Sequence, residues 1–133
     1  LVSRVFHPRV IGRLMNKKIL WVDDRPNNNF YPRRALEALG IQVTISTSTQ
    51  DALEKLRQDN YDVVISDMGR PPDDRAGYIL LDEIQKMGIS IPFIIYAAGS
   101  NLPEHKAKAR KKGAYGSTNL VTELFELVIS SIS

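Results

Sequence analysis

Two stretches decide the fold: Ile19-Leu-Trp-Val-Asp-Asp24 and Tyr61-Asp-Val-Val-Ile-Ser-Asp67. Each is a short apolar run that ends abruptly on carboxylates. A run apolar at every position reads as a strand covered on both faces, as in a parallel sheet, and not as a half-exposed strand. The acids then fall at the carboxyl ends of two such strands.

Working outward, strand-like and helix-like segments alternate five times. After the first strand, Asn27 to Tyr31 offer capping groups and Pro32 fits the first turn of a helix. Ala35, Leu36 and Leu39 form its apolar stripe, and Gly40 closes it. Ile41 to Ile45 alternates as a second strand. Ser48 or Thr49 caps the next helix, with Ala52, Leu53 and Leu56 inward and Asn60 at its end. After Asp67 comes a Gly/Pro/Asp-rich loop, residues 69–74. A third helix then spans Ala76 to Met87 with Ile79, Leu80 and Ile84 apolar, and Gly88 stops it. Pro92 to Tyr96 reads as the fourth strand. Pro103 opens a helix that runs to Lys112, capped by Gly113. Ala114 to Ser117 is a short fifth strand, and Thr118 or Asn119 caps a last helix whose inward face is Leu120, Leu124, Leu127 and Val128.

Strands separated by amphipathic helices predict an α/β domain with helices on both faces of a parallel sheet. In such sheets ligands bind beyond the carboxyl ends of the strands, near the switch in strand order. That rule places Asp23, Asp24 and Asp67 where function is expected.

At 133 residues the chain suits one domain with its own core. With 43% hydrophobic and 25% charged residues its composition is that of a soluble globular protein. It has no Cys, which excludes disulfides and thiolate metal sites, and only two His, His7 and His105. No stretch reaches the ~18 apolar residues of a membrane span, and the first residues lack the apolar core of a secretory signal. A cytoplasmic location is expected.

The net charge is +3 and the pI about 9.3. Of the 18 Lys and Arg, three (Arg4, Arg9, Arg13) lie in residues 1–14 without an acid, leaving 15 against 15 Asp and Glu. The basicity therefore belongs to an N-terminal arm. Residues 1–14 are read as a basic extension, either foreign to the natural chain or an anchor for an acidic partner. Met15 is read as the start of the domain, residues 15–133.

Three acids gathered at one sheet rim repel unless something neutralises them. A hard divalent cation such as Mg²⁺, which takes oxygen ligands and keeps several waters, is the natural solution. A carboxylate there can also act as a nucleophile toward a phosphoryl group. Taken singly, Asp24 before Pro26 reads equally as a turn into a helix, and Asp67 before Gly69 as loop chemistry. It is their joint position at strand ends that favours a site.

Lys18-Ile-Leu-Trp-Val-Asp-Asp-Arg-Pro26 resembles the opening of response-regulator receiver domains of the chemotaxis type. Tyr61 to Asp67, followed by Pro71, resembles their phosphoacceptor strand and loop. Ala76-Gly77-Tyr-Ile-Leu-Leu81, Ile91-Pro92-Phe-Ile-Ile95 and Lys112-Gly113-Ala114 resemble the third helix, the fourth strand and the entry to the fifth. The resemblance runs in order from residue 17 to about 130. It implies a flavodoxin-like (βα)₅ sandwich with strand order 2-1-3-4-5. It implies Asp67 as phosphoacceptor, with Mg²⁺ held by Asp24, Asp67 and the Gly69 backbone carbonyl, and by Asp23 through water. The implied partners are a histidine kinase or phosphotransfer protein and a downstream effector. The implied role is signalling, not enzymatic turnover.

Two family positions depart from the pattern. The Ser or Thr at the end of the fourth strand is replaced by Ala97, with Ser100 the nearest hydroxyl in that loop. The Lys at the end of the fifth strand is missing: no Lys or Arg follows Lys112, and Gly116-Ser-Thr-Asn-Leu120 stands in its place. The strand's usual aromatic is replaced by Ser117, with Tyr115 close by. A fixed cation beside developing phosphoryl charge is worth several kcal/mol. Arg25 and Arg70 flank the pocket, either compensating for it or neutralising the acids of a domain that takes no phosphate. Arg70-Pro-Pro-Asp-Asp-Arg75 lengthens the loop after Asp67 by about two residues against the family pattern, which reads either as reshaped access to Asp67 or as a tolerated surface insertion.

Two readings follow: a phosphorelay receiver that accepts phosphate on Asp67, and a degenerate receiver that acts as a phosphorylation-independent interaction module. A nucleotide-binding enzyme on the same fold is disfavoured, since no Gly-rich phosphate loop follows the first strand. The basic helix 103–112 reads either as a solvated face or as a docking surface for an acidic effector, and with no room for an output domain in 133 residues the signal is expected to pass to another chain unless this one is a piece of a longer protein. One basic helix without interleaved aromatics argues against nucleic acid.

Overall fold

A computed structural model describes residues 12–132. Five parallel strands form one sheet in the order β2-β1-β3-β4-β5. They are β1 (Lys18–Val22), β2 (Gln42–Ser46), β3 (Val63–Ser66), β4 (Phe93–Tyr96) and β5 (Gly116–Thr118). The helices are α1 (Phe30–Ala38), α2 (Thr49–Gln58), α3 (Ala76–Lys86), α4 (Pro103–Lys111) and α5 (Val121–Ile132), with a 3₁₀ turn at Pro26–Asn29 ahead of α1. This is the flavodoxin-like topology expected from the sequence.

β1, β3, β4 and β5 are buried on both faces, whereas the edge strand β2 is half-buried, and the pleat sorts the side chains into two cores. Leu20, Val22, Val64, Phe93 and Ile95 pack with Ala52, Leu53 and Leu56 of α2, Leu80, Leu81 and Ile84 of α3 and Ala109 of α4. Ile19, Trp21, Val63, Ile65 and Ile94 pack on the opposite face with Leu36 of α1 and Leu124, Val128 and Ile129 of α5. Full burial of one such aliphatic or aromatic side chain contributes ~1.5–3 kcal/mol, so the continuous apolar strands carry most of the cohesion.

Helix ends follow local chemistry. Ser48 caps α2, its hydroxyl accepting from the Asp51 N–H at 3.0 Å. Gly88 and Gly113 take positive φ, +75° and +102°, after α3 and α4, a conformation in which a Cβ is penalised. Asn29 stands at the N-cap of α1 but makes no side-chain cap bond; its amide N–H donates to the site described below.

Three details differ from the sequence reading. Ile79 is 42% exposed, and the inward stripe of α3 is Ala76, Gly77, Leu80, Leu81 and Ile84. Leu120 is 50% exposed because α5 begins one residue later, and its buried face is Leu124, Val128 and Ile129. Ala35 of α1 is exposed, leaving Leu36 as that helix's buried anchor. Of the basic arm, residues 1–11 lie outside the described residues. Leu14, counted with the arm, is fully buried in the α1–α5 core. Among the described residues no helix is long and apolar enough to cross a membrane.

Candidate functional site

Strand register brings the acids together. β1 and β3 pair in parallel with Val22 opposite Ser66, so Asp23 and Asp67 each follow a paired residue at the same sheet edge. The backbone continues the ladder: the Asp67 N–H donates to the Val22 carbonyl at 3.0 Å, and the Asp23 N–H to the Ser46 carbonyl at 2.9 Å. One carboxylate oxygen from each of Asp23, Asp24 and Asp67 lies within 4.8 Å of the other two.

Around them opens a pocket of about 610 Å³, whose walls include Arg25, Asn28, Asn29, Gly69, Ala97 and Asn119. Asp23, Asp24, Gly69, Arg25 and Ala97 thus meet where the sequence placed them. Ser100 does not line this pocket. It is buried behind it, its carbonyl accepting from the Ser117 hydroxyl at 2.8 Å. Arg70 is also absent from the pocket wall, yet it is paired with Asp67.

Each acid is held differently. Asp23 accepts from the Asn29 amide at 2.7 Å and from the Arg25 N–H at 2.7 Å. Asp24 is exposed. Asp67 is only 7% exposed. Its Oδ2 faces the Asp24 N–H at 3.4 Å, and its Oδ1 is bonded by the Arg70 guanidinium. Burial raises the Asp67 carboxyl from 3.8 to about 6, opposed by the Arg70 charge and aided by the nearby Asp23 charge. Desolvation outweighs the ion pair because a carboxylate loses strongly favourable hydration on burial.

The approach of α3 completes the wall. The Gly77 N–H donates to the Met68 carbonyl at 2.8 Å, and a Cβ on Gly77 would stand 2.5 Å from the Asp67 carbonyl oxygen. Only glycine lets the helix start this close to the acceptor strand.

Sequence reasoning missed Asn29, Asn119 and Thr49. Asn29 was legible only as a cap, although its amide orients Asp23. Asn119 reaches the pocket wall from the end of β5. Thr49 accepts from Arg70 across 21 positions of sequence, a pairing no local pattern announces.

Residues 19–118 match the family model described as the response regulator receiver domain. The chain belongs to this family. Sensor histidine kinase RcsC of Escherichia coli K12 is 35% identical to the receiver over 95 residues, which are 71% of this chain and 10% of that protein. The DNA-binding transcriptional regulator NtrC of the same strain is 32% identical over 102 residues, 76% of this chain and 21% of that protein. The receiver thus spans about a tenth of one relative and a fifth of the other. The solved receiver domain of the Francisella response regulator 1452 superposes with a TM-score of 0.74 at 28% identity, covering 87% of this chain and 97% of that one. This receiver is a domain of two-component signal transduction, a family in which an Asp is phosphorylated. Receiver domains are signalling modules that bind Mg²⁺ at an acidic pocket and interact with histidine kinases or phosphotransfer proteins and with effectors.

Proposed function

We propose that this receiver accepts a phosphoryl group on Asp67, with Mg²⁺ held by Asp24, Asp67 and the Gly69 carbonyl and by Asp23 through water. The observation that carries the reading is Asp67, the one buried acid among the described residues, set beside the half-buried Asp23 and the exposed Asp24 at one sheet rim. The donor set fits the ion: all three side chains offer hard oxygen ligands, and the open pocket leaves room for the waters Mg²⁺ retains. Bound there, the ion supplies positive charge that offsets the mutual repulsion of the acids and of an incoming phosphoryl group.

The chain's own part is nucleophilic. A carboxylate oxygen of Asp67 attacks phosphorus of a phosphohistidine on the donor protein. A P–O bond forms as the P–N bond breaks, and the electron pair leaves on the imidazole nitrogen, which takes up a proton. Asn29 and the Arg25 N–H keep Asp23 turned toward the pocket. The receiver acts as a relay and not as a turnover enzyme, in the cytoplasm.

For the output side, α4 buries only Ala109 and presents Lys108, Arg110 and Lys111 to solvent, joined by Lys112 at its C-cap. Lys108 and Lys112, with Arg75 of the loop before α3, surround the Tyr78 ring at 5.5, 5.0 and 5.9 Å from its centroid. Among the described residues none of these three cations has an ion-pair partner. This face suits an acidic effector protein in trans.

The second reading, a module that works without phosphate, is favoured by the absence of any Lys or Arg after Lys112. Amide spectra with beryllofluoride and Mg²⁺ separate the two. Saturable shifts around Asp67 that vanish in Asp67→Asn support phosphoryl transfer, and a silent spectrum at millimolar Mg²⁺ supports the module.

A further inference from the structure

The loop after β3 turns one long side chain inward. Arg70 is 6% exposed, and its terminal nitrogens have acceptors on several elements. Nη1 donates to Asp67 Oδ1 and to the Ser66 hydroxyl at 3.3 Å. Nη2 donates to the Thr49 hydroxyl at 2.5 Å and to the Ala76 carbonyl at 3.3 Å. β3, α2 and the start of α3 thus fix the guanidinium plane. A buried guanidinium is tolerated only with this degree of pairing and hydrogen bonding.

The direction of approach distinguishes the two oxygens of Asp67. Arg70 does not line the acidic pocket and reaches Oδ1 from the α2–α3 side. Oδ2 faces the Asp24 N–H on the side of the acids. The family's missing Lys would approach from β5, across the sheet from α2.

We propose that Arg70 is a positioning residue for phosphoryl transfer. It holds Oδ1 so that Oδ2 is presented to the pocket as the reacting oxygen, and it supplies from α2–α3 the fixed positive charge that β5 lacks. The proposal rests on Asp67 being the acceptor. When Oδ2 forms the P–O bond, Oδ1 becomes the carbonyl oxygen of the acyl phosphate and keeps the Nη1 hydrogen bond. The guanidinium then stands across the carboxyl group from the phosphoryl dianion, bonded to Oδ1 on the α2–α3 side. The same charge repels a divalent cation, so Arg70 favours the phosphoryl group and opposes the metal. A residue that merely supports the fold would affect both in the same direction.

The experiment measures beryllofluoride affinity at saturating Mg²⁺, and Mg²⁺ affinity alone, for the full chain and for Arg70→Gln, Arg70→Lys and Thr49→Val. The expected result is beryllofluoride binding weakened about tenfold or more in Arg70→Gln, the usual scale for a hydrogen bond to a charged group. Mg²⁺ alone should bind no more weakly. Arg70→Lys should fall between, keeping the charge without the fork. Thr49→Val should show a smaller loss of the same kind, and it stands in for Arg70→Gln if that variant unfolds. Unchanged beryllofluoride affinity in Arg70→Gln overturns the proposal. So does a parallel loss of both ligands in all the variants, which marks a purely structural role. A wild-type chain that binds Mg²⁺ but no beryllofluoride refutes the acceptor role of Asp67 itself, a different result from a silent Arg70→Gln beside a responsive wild type.

Discussion

Replacing Asp67 by Asn should stabilise the domain. The native carboxyl titrates at about 6 against 3.8 for the free side chain. At ~1.4 kcal/mol per tenfold, the ionised native form carries a penalty of about 3 kcal/mol. The folded state binds this proton more tightly than the unfolded chain. Its contribution is therefore intact below pH 4 and is lost as pH rises through about 6. Asn is neutral at every pH, and its amide oxygen can still accept from Arg70. Without Mg²⁺, Asp67→Asn should exceed wild type by about 3 kcal/mol at pH 7.5, on the order of 10 °C in Tm, and by almost nothing at pH 4. Asp51, Asp59 and Glu123 are held below their usual range first by hydrogen bonds from Lys55, Lys18 and Lys106. They lose their pairing as pH falls, equally in both proteins, so they cancel in the difference. Urea denaturation at steps from pH 4 to 7.5 measures that difference. Added Mg²⁺ should narrow it, since a ligand of the native state stabilises by mass action. A difference independent of pH, or an Asn variant less stable at pH 7.5, would refute the reasoning and show that the Arg70 pair outweighs desolvation.

Mg²⁺ must displace the Asp67 proton, so calorimetric affinity should drop about tenfold from pH 7 to pH 5; a flat profile removes Asp67 from the ligand set. Gly77→Ala drives a methyl into the Asp67 carbonyl and should cost ~1–3 kcal/mol in urea denaturation, with the amide signals of Asp67 and Met68 displaced. Ser48→Ala removes the α2 cap and should cost ~1 kcal/mol while leaving Mg²⁺ affinity unchanged. Asn119→Lys sets an ammonium on the pocket wall and should tighten beryllofluoride binding about tenfold, a gain read directly by titration.

Much of the fold was legible because its signals are local. The strands Ile19–Val22 and Val63–Ile65 are apolar at every position and need no face assignment. Ser48, Gly88 and Gly113 mark helix ends by chemistry confined to a few residues. The inward faces of helices were harder to read. Ile79 and Leu120 are as apolar as their neighbours, and periodicity with a boundary uncertain by one residue cannot say which of two adjacent apolar side chains turns inward. The acids were legible because each ends a strand, and strand ends on one rim converge in a parallel sheet.

By itself the sequence determined the alternation of elements, the three acids at the sheet's carboxyl edge and the lack of a basic residue after Lys112, since composition and period are properties of the chain alone. Only the tertiary structure decided which way Arg70 points, that Asn29 serves Asp23 instead of capping a helix, and that Asp67 is buried enough to hold its proton up to about pH 6. Those outcomes depend on partners 3 to 43 positions away, brought close by packing. The free energy of a charge is set by the surroundings that packing creates, which no stretch of sequence contains.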